Sequence, residues 1–169
     1  MSHVAILGIT GRAGSRIATE LLGRQHTVTG IARNISQASP QPGLSIKAAD
    51  VTDGKALAKL LEGHDVVVSS TRFVGGIDAP TLIAAAKQAG VKRVVVVGGA
   101  GSLELAPGLA LIDTPEFPEI YKAEASAGGV FLQALRGETE LDWTFISPPA
   151  LFEPGQRTDS LVGQPHAGV

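Results

Sequence analysis

The chain has 169 residues, a length typical of one domain with one sizeable core. Hydrophobic residues make up 44% of it and aromatic residues only 4%, so the core must consist mainly of Val, Leu, Ile and Ala. The net charge of −2, without a long basic run, argues against nucleic acid and anionic membranes as partners, and the absence of cysteine excludes disulfides and thiolate chemistry.

Two kinds of apolar segment alternate along the chain. Short Val/Ile-rich runs predict strands, at residues 3–9, 27–33, 44–50, 64–70, 91–99 and 141–149. Between them lie segments with apolar residues at helical spacing, and each of these segments predicts a helix. The first helix follows the first strand, the second spans 53–63, the third runs for about a dozen residues from Asp78 and Pro80, and the fourth spans 119–136. A Pro-rich loop at 106–118 precedes the last helix.

The fifth predicted strand indicates how the sheet is built. Val94 to Val97 do not alternate with polar residues, as they would if one face met water. A strand buried on both faces is typical of a parallel sheet with helices on each side. Strand-helix alternation therefore predicts an α/β fold, a doubly wound parallel sheet in three αβα layers, whose ligand crevice lies at the carboxyl ends of the strands. We expect residues 1–169 to form a single domain.

A glycine-rich turn joins the first strand to the first helix. Gly8, Gly11 and Gly14 are spaced by three residues, with Thr10 and Ala13 between them in the same loop. Helix N-termini expose unpaired N–H groups, so such a turn can hold the diphosphate of a dinucleotide. Gly8 would close the strand, Gly11 would let the backbone meet phosphate, and Gly14 would let the helix approach the sheet. The alternative is that the glycines serve turn geometry alone.

Two arginines bear on the choice of dinucleotide. Arg33 ends the second predicted strand, where proteins that bind NAD usually carry Asp or Glu for the ribose 2′-hydroxyl, and the next acid is Asp50. Arg12, inside the glycine loop, could reach the same position. Because guanidinium groups pair with phosphate by forked hydrogen bonds, the arginines favour NADP over NAD. The alternative is that both are solvated surface charges.

Several segments carry a family resemblance over nearly the whole chain, in order: GITGRAG, IAR, AADVTD, VVVSSTR, RVVVVGGAGS and LDWTFISPPALFEPG. They resemble the atypical short-chain dehydrogenase/reductase group, and more narrowly its NAD(P)H-binding NADH-flavin reductases, which are related to biliverdin reductase B and to NmrA-like proteins. The resemblance implies a Rossmann fold with strand order 3-2-1-4-5-6.

The resemblance also implies a set of cofactor contacts. Asp50 and Val51 would meet the adenine, although a loop-capping role for Asp50 is the alternative. Arg72 would lie near the phosphates and nicotinamide, or else be merely exposed. The other implied contacts follow strands four, five and six, and are Ser69, Ser70, Thr71, Gly98, Gly99, Ala100, Ser102, Pro148 and Pro149.

The usual catalytic pair of short-chain dehydrogenases is absent. That pair is Tyr-x-x-x-Lys, whereas here Lys122 directly follows Tyr121 and Ala125 stands four residues on. Tyr121 and Lys122 stay candidates for substrate orientation or proton donation, with packing and surface charge as the alternative. Flavin reduction hardly needs a protein acid, because the cofactors carry the chemistry, so the departure weighs mainly against an alcohol dehydrogenase.

Other chemistry has little support in the sequence. The histidines are scattered without clustered carboxylates, which predicts no metal site. Trp143 and Phe145 alternate in the last strand and are interpreted as core residues. Relatives normally continue past FEPG, whereas RTDSLVGQPHAGV ends this sequence, so an open pocket, a pocket completed by a partner subunit and a shortened sequence all stay possible.

These observations predict an NADPH-dependent oxidoreductase that transfers hydride to a flavin, a quinone or a similar conjugated small molecule. The alternative is a non-catalytic, NADP-sensing, NmrA-like binding protein; a third candidate is an epimerase-like or dehydratase-like enzyme. Without a signal peptide or a membrane span in the sequence, we expect a cytoplasmic monomer or homodimer.

Overall fold

A computed structural model describes residues 1–36, 38–39, 41–153 and 155. Its strands are β1 His3–Leu7, β2 Thr27–Ala32, β3 Leu44–Ala48, β4 Val66–Ser69, β5 Arg93–Val97, β6 Glu104–Ala106, β7 Leu109–Ala110 and β8 Asp142–Ile146. Its α-helices are α1 Arg12–Gly23, α2 Gly54–Leu61, α3 Ala79–Ala89 and α4 Glu119–Arg136, and short 3-10 helices span Ala100–Ser102 and Leu111–Asp113. The C-terminal segment from residue 156, with His166, lies outside the described residues.

One parallel sheet organises the molecule. Its strand order is β3-β2-β1-β4-β5-β8, and every neighbouring pair is parallel. With β8 as the sixth predicted strand, this is the predicted order, and the doubly wound Rossmann-type fold is confirmed. All six strands end at the same edge of the sheet, which collects the loops that carry the predicted cofactor contacts.

Two apolar cores cover the two faces of the sheet. One face packs against α2, α3 and α4, through side chains such as Leu57, Leu82 and Leu135. The other face packs against α1, mainly through Ile17, Ala18 and Leu21. Trp143 and Phe145 pack, partly buried, against the first of these cores, as predicted for core residues.

The burial predicted for the fifth strand is only half right. Val94 and Val96 are buried under the helices, but Val95 and Val97 on the opposite face are only partly buried. On that face the described helical cover is α1, which connects β1 to β2 and does not reach across β5. The run of valines therefore reflects strong β propensity as well as burial.

Helix ends follow local chemistry that the sequence predicts. Asp53 caps α2 by accepting hydrogen bonds from the Lys55 and Ala56 amides, both at 3.1 Å. Asp78 caps α3 by accepting from the Thr81 amide at 2.8 Å. The predicted range of α4 is exact, whereas the Pro-rich loop before it contains an unpredicted hairpin of β6 and β7, which turns at Gly108 with φ +76°. No described helix is both long and apolar enough to cross a membrane.

The core on the helix-rich face should dominate stability. Leu82 is fully buried between α3 and the sheet, so Leu82→Ala is expected to lower the free energy of unfolding by about 2–5 kcal/mol. Val130 on α4 is 72% exposed, so Val130→Ala should change it by less than about 0.5 kcal/mol. Urea denaturation measures both; equal losses would contradict the assignment of this core.

Candidate cofactor site

The turn between β1 and α1 is held by backbone contacts. Gly8 has φ +85°, a conformation that side chains disfavour, and its amide donates to the Ile31 carbonyl at 2.8 Å. The Gly11 amide donates back to the Gly8 carbonyl at 3.0 Å. Ser70, which follows β4, donates from its hydroxyl to the Leu7 carbonyl at 2.9 Å. The end of β4 therefore supports the glycine turn directly.

Gly14 lies where helix α1 presses on this turn. A Cβ at Gly14 would stand 2.2 Å from the Gly8 carbonyl oxygen and 2.7 Å from the Ser70 hydroxyl, closer than atoms can approach. Gly11 has an ordinary φ of −75°, and a Cβ there would stand 3.2 Å from the Gly8 oxygen. Gly14 therefore makes the close approach of helix to sheet that the sequence predicts for it.

The first turn of α1 presents free hydrogen-bond donors. Among the described residues, the backbone amides of Arg12, Ala13 and Gly14 have no hydrogen-bond partner, and no acidic side chain lies in this turn. Unpaired amides and the positive end of the helix dipole favour an anion. With glycines leaving room above the turn, these residues fit the diphosphate of a dinucleotide.

Arg12 and Arg33 are both exposed beside this turn. Within the described part of the chain neither forms a salt bridge, whereas Arg24 pairs with Glu20 at 2.7 Å and Arg93 with Asp142 at 3.1 Å. Two guanidinium groups are therefore available to an anionic ligand.

Asp50 brings a carboxylate to the same corner, because β3 runs parallel to β2 and ends beside it. Its Oδ1 accepts from the amide of Thr52 at 3.0 Å and from the Thr52 hydroxyl at 2.8 Å. These hydrogen bonds, with a smaller contribution from the charge of Arg33, lower the pKa of Asp50 below its ordinary value. Asp50 does cap its own loop, and its contact with adenine stays a prediction.

The buried position of Val51 was not foreseen. Its side chain is only 7% exposed and packs into the core on the helix-rich face. Little of its surface is left to face an adenine ring, so the packing role implied for it stays a prediction that the burial does not favour.

The loop after β4 carries the next group of predicted contacts. Ser69 is buried, and its hydroxyl lies 3.5 Å from that of Thr71. Arg72 is 80% exposed, with its Nε 3.7 Å from the Glu124 carboxylate on α4. Ser70 and Thr71 therefore lie between the glycine turn and α4, and Arg72 extends into solvent at that edge.

Glu124 is the residue of this edge that the sequence analysis missed. Its carboxylate accepts from the Phe73 amide at 2.7 Å and from the Val74 amide at 3.1 Å. The only local signal is its place three residues after Tyr121, which puts both side chains on one face of α4. Its partners are 50 and 51 residues distant in sequence, so the pairing depends on the tertiary fold.

The loops after β5 and β8 meet at the same edge. The Ser102 hydroxyl lies 3.2 Å from the Gly99 carbonyl and 3.2 Å from the Ser147 hydroxyl, and Pro148 follows, partly buried. A Cβ at Gly98 would stand 2.1 Å from the Phe145 ring. Packing against Phe145 thus accounts for glycine at 98, whether or not a cofactor also approaches it.

Tyr121 and Lys122 do not form a proton-transfer pair. Tyr121 is 59% exposed at the start of α4. The Lys122 ammonium lies 2.7 Å from the Glu119 carboxylate, so its charge is engaged one turn back along the helix. Among the described residues Tyr121 has no hydrogen bond to a lysine, and the catalytic role of Tyr121 and Lys122 stays a prediction.

The three histidines within the described residues lie away from this edge. His3 begins β1, and His26 and His64 precede β2 and β4, at the amino ends of the strands. His26 Nδ1 accepts from the Ser2 amide at 3.1 Å, and His64 Nε2 lies 2.9 Å from the Thr29 hydroxyl. These contacts tie loops to the sheet, far from the glycine turn.

Comparisons with known proteins agree with this geometry. The sequence profile of a family described as NAD(P)H-binding matches residues 8–168. A curated relative, the uncharacterized protein YwnB of Bacillus subtilis strain 168, is 38% identical over 166 residues, which cover 93% of this chain and 76% of YwnB.

Solved structures of similar proteins share the fold. A putative exported protein from Burkholderia pseudomallei is 46% identical with a TM-score of 0.83, over 94% of this chain and 77% of that one. A putative epimerase from Bacteroides thetaiotaomicron is 36% identical with a TM-score of 0.86, over 93% of this chain and 75% of that one. SP1627, a putative NADH-flavin reductase from Streptococcus pneumoniae TIGR4, is 30% identical with a TM-score of 0.78, over 94% of this chain and 77% of that one.

The profile match covers most of the chain, and the sheet order and glycine turn are those of a Rossmann-type dinucleotide site. The chain therefore belongs to the NAD(P)H-binding family of oxidoreductase-like Rossmann proteins, in the atypical short-chain dehydrogenase/reductase group.

Proposed function

We propose that this protein is an NADPH-dependent reductase that transfers hydride to a flat, conjugated acceptor such as a flavin or a quinone. The observation that carries the proposal is the first turn of α1, where three backbone amides after a glycine turn are free and where, among the described residues, neither Arg12 nor Arg33 forms a salt bridge. A diphosphate and an additional phosphate are the groups that such donors bind.

The preference for NADPH rests on the balance of charge at the adenosine end. Arg12 and Arg33 bring two positive charges to this corner and Asp50 brings one negative charge. One oxygen of Asp50 is already engaged by Thr52. The excess positive charge favours a ribose 2′-phosphate over a 2′-hydroxyl.

The acceptor class rests on the side chains around Tyr121. Ile120, Tyr121 and Val74 are exposed apolar or aromatic groups, and the Val74 amide donates a hydrogen bond to Glu124, three residues after Tyr121 on α4. Reduced nicotinamide supplies the hydride, and solvent can supply the accompanying proton to a flavin or a quinone. The chain then has to bind and orient a planar ring, which fits an apolar rim without a lysine-paired tyrosine. The similarity to SP1627 supports the same class.

A second candidate is an NmrA-like protein that binds NADP and reports its redox state to a partner. One observation favours it: among the described residues the Tyr121 hydroxyl has no hydrogen-bond partner and Lys122 is engaged by Glu119. Such a protein would use the same cofactor site without turnover. For either function we propose a cytoplasmic location, because NADPH is maintained inside cells. We also propose that the protein is a monomer or a homodimer.

Cofactor binding should depend on Gly14. A methyl group there collides with the Gly8 carbonyl, so Gly14→Ala is expected to raise the Kd for NADPH on the order of 10-fold or more and to cost about 1–3 kcal/mol of stability. Gly23 ends the same helix with no atom within 4 Å of its would-be Cβ, which makes Gly23→Ala the matched control. Fluorescence titration gives both affinities, and a folded Gly14→Ala protein of normal affinity would contradict the site.

Discrimination between the dinucleotides should depend on the two arginines. The double variant Arg12→Ala with Arg33→Ala is expected to weaken NADPH binding about 100-fold or more, because charge-assisted hydrogen bonds contribute about 1.5–3 kcal/mol each and two of them are lost. The affinity for NADH should change far less. Arg24→Ala, at the other end of α1 where the arginine pairs with Glu20, is the control for the loss of an arginine outside the site. Equal losses for NADPH and NADH would refute the phosphate assignment.

Turnover separates the two candidate functions. The wild type is expected to oxidise NADPH when FMN or a quinone is supplied, followed by the loss of NADPH absorbance. Gly11→Asp is the inactive control, because its carboxylate would stand beside the Gly8 oxygen and repel the diphosphate. A wild type that binds NADPH but turns over no faster than this control would favour the sensor.

A further inference from the structure

We propose that Glu124 is a positioning residue, which fixes the loop after β4 so that Thr71 and Arg72 are held in place for the nicotinamide half of the cofactor. The inference rests on the proposed cofactor function. It assigns a role to a residue that touches neither the glycine turn nor the adenosine corner, and that acts through the backbone of another loop.

The contacts of Glu124 are those of a clamp. One carboxylate oxygen accepts from the Phe73 amide at 2.7 Å and the other from the Val74 amide at 3.1 Å. The side chain is 32% exposed, and the shorter hydrogen bond, from the Phe73 amide, is partly buried, whereas the one from the Val74 amide is exposed. The Arg72 Nε, at 3.7 Å, is a weaker third partner with a mostly exposed side chain. The backbone amides are therefore the main partners of Glu124, and Arg72 stays available to a ligand.

The loop needs an acceptor at this point because it reverses sharply. Gly75 has φ +71°, and a Cβ at Gly76 would stand 1.9 Å from the Arg72 carbonyl oxygen, so the chain folds back on itself directly after Arg72. Amides at such a reversal have no strand partner, and the Phe73 amide is partly buried, where a donor without an acceptor is costly. Glu124 supplies that acceptor from α4.

The part of this loop from Ser70 to Phe73 is anchored at both ends. Ser70 is tied to the end of β1 through the Leu7 carbonyl, by its amide and by its hydroxyl, both at 2.9 Å. Phe73 is held by Glu124 and by its ring, which lies 5.4 Å from Phe131 and 6.0 Å from Phe145. Thr71 and Arg72 lie between these anchors, so their positions depend on both.

Glu138 provides a matched control at the other end of α4. Its carboxylate accepts from the Glu140 amide at 2.6 Å and the Leu141 amide at 3.3 Å, and pairs with the Lys87 ammonium at 2.9 Å. It therefore makes the same set of contacts, two loop amides and one cation. Those contacts lie before β8, at the amino edge of the sheet, away from the proposed site.

The test compares two ligands in the wild type and three variants. NADPH spans the whole edge, whereas adenosine 2′,5′-bisphosphate reaches the adenosine corner and lacks the nicotinamide half. Glu124→Gln is expected to raise the Kd for NADPH about fivefold or more, which corresponds to one lost hydrogen bond. The Kd for the bisphosphate should stay unchanged. Glu138→Gln should leave both affinities at their wild-type values. Glu124→Asp, which keeps the charge but shortens the reach, should give the same selective loss, and it replaces Glu124→Gln if that protein does not fold.

Three results of these titrations would overturn the positioning role of Glu124. An unchanged NADPH affinity in folded Glu124→Gln, or an equal loss for both ligands, would overturn the positioning role while leaving the cofactor proposal intact. A comparable loss of NADPH affinity in Glu138→Gln would show a general effect of stability and would also overturn it. A wild type that binds neither ligand would overturn the proposed cofactor function itself, and this inference with it.

Discussion

The contact between Gly14 and the Gly8 carbonyl is the constraint on which the rest of the site depends. It lets α1 begin directly above the end of β1, and the Ser70 hydroxyl fills the space beside it. A helix that starts there directs its free amides across the carboxyl edge of the sheet. Because β1 is central, with β2 on one side and β4 on the other, the loops after these strands are brought to the same edge.

The two halves of this edge are built in different ways. The diphosphate half depends on backbone groups, the amides of α1 and the glycine turn, whose positions follow from the sheet. The other half depends on loops that side chains must hold, through Glu124 for the loop after β4 and through Ser102 with Ser147 for the loops after β5 and β8.

Much of the fold could be predicted because its signals are local. The glycine spacing, the Val/Ile-rich runs and the caps at Asp53 and Asp78 each depend on residues a few positions apart, and the predicted strands and helices follow them. The strand order came from the family resemblance, since spacing alone does not fix it. The exposed side of Val95 and Val97 was missed because a run of valines does not reveal whether a helix covers each face.

The parts of the site that escaped prediction depend on distant contacts. Arg33 and Asp50 were each predicted as cofactor contacts, but the effect of the Arg33 charge on Asp50 depends on the pairing of β2 with β3, which brings their strand ends side by side. Glu124 meets a loop about fifty residues away, and its neighbours in sequence do not indicate that partner. The hairpin of β6 and β7 lies in a segment whose prolines suggested an irregular loop.

The exposed position of Arg12 and Arg33 has a consequence for how this site can change. In the proposed site the diphosphate would be held by backbone groups, and neither arginine side chain contributes to the buried cores. If the two arginines set the cofactor preference as proposed, that preference and the folding of the chain are separable properties. Natural drift or laboratory selection would then exchange one dinucleotide for the other through two surface side chains, at little risk to the scaffold that presents them.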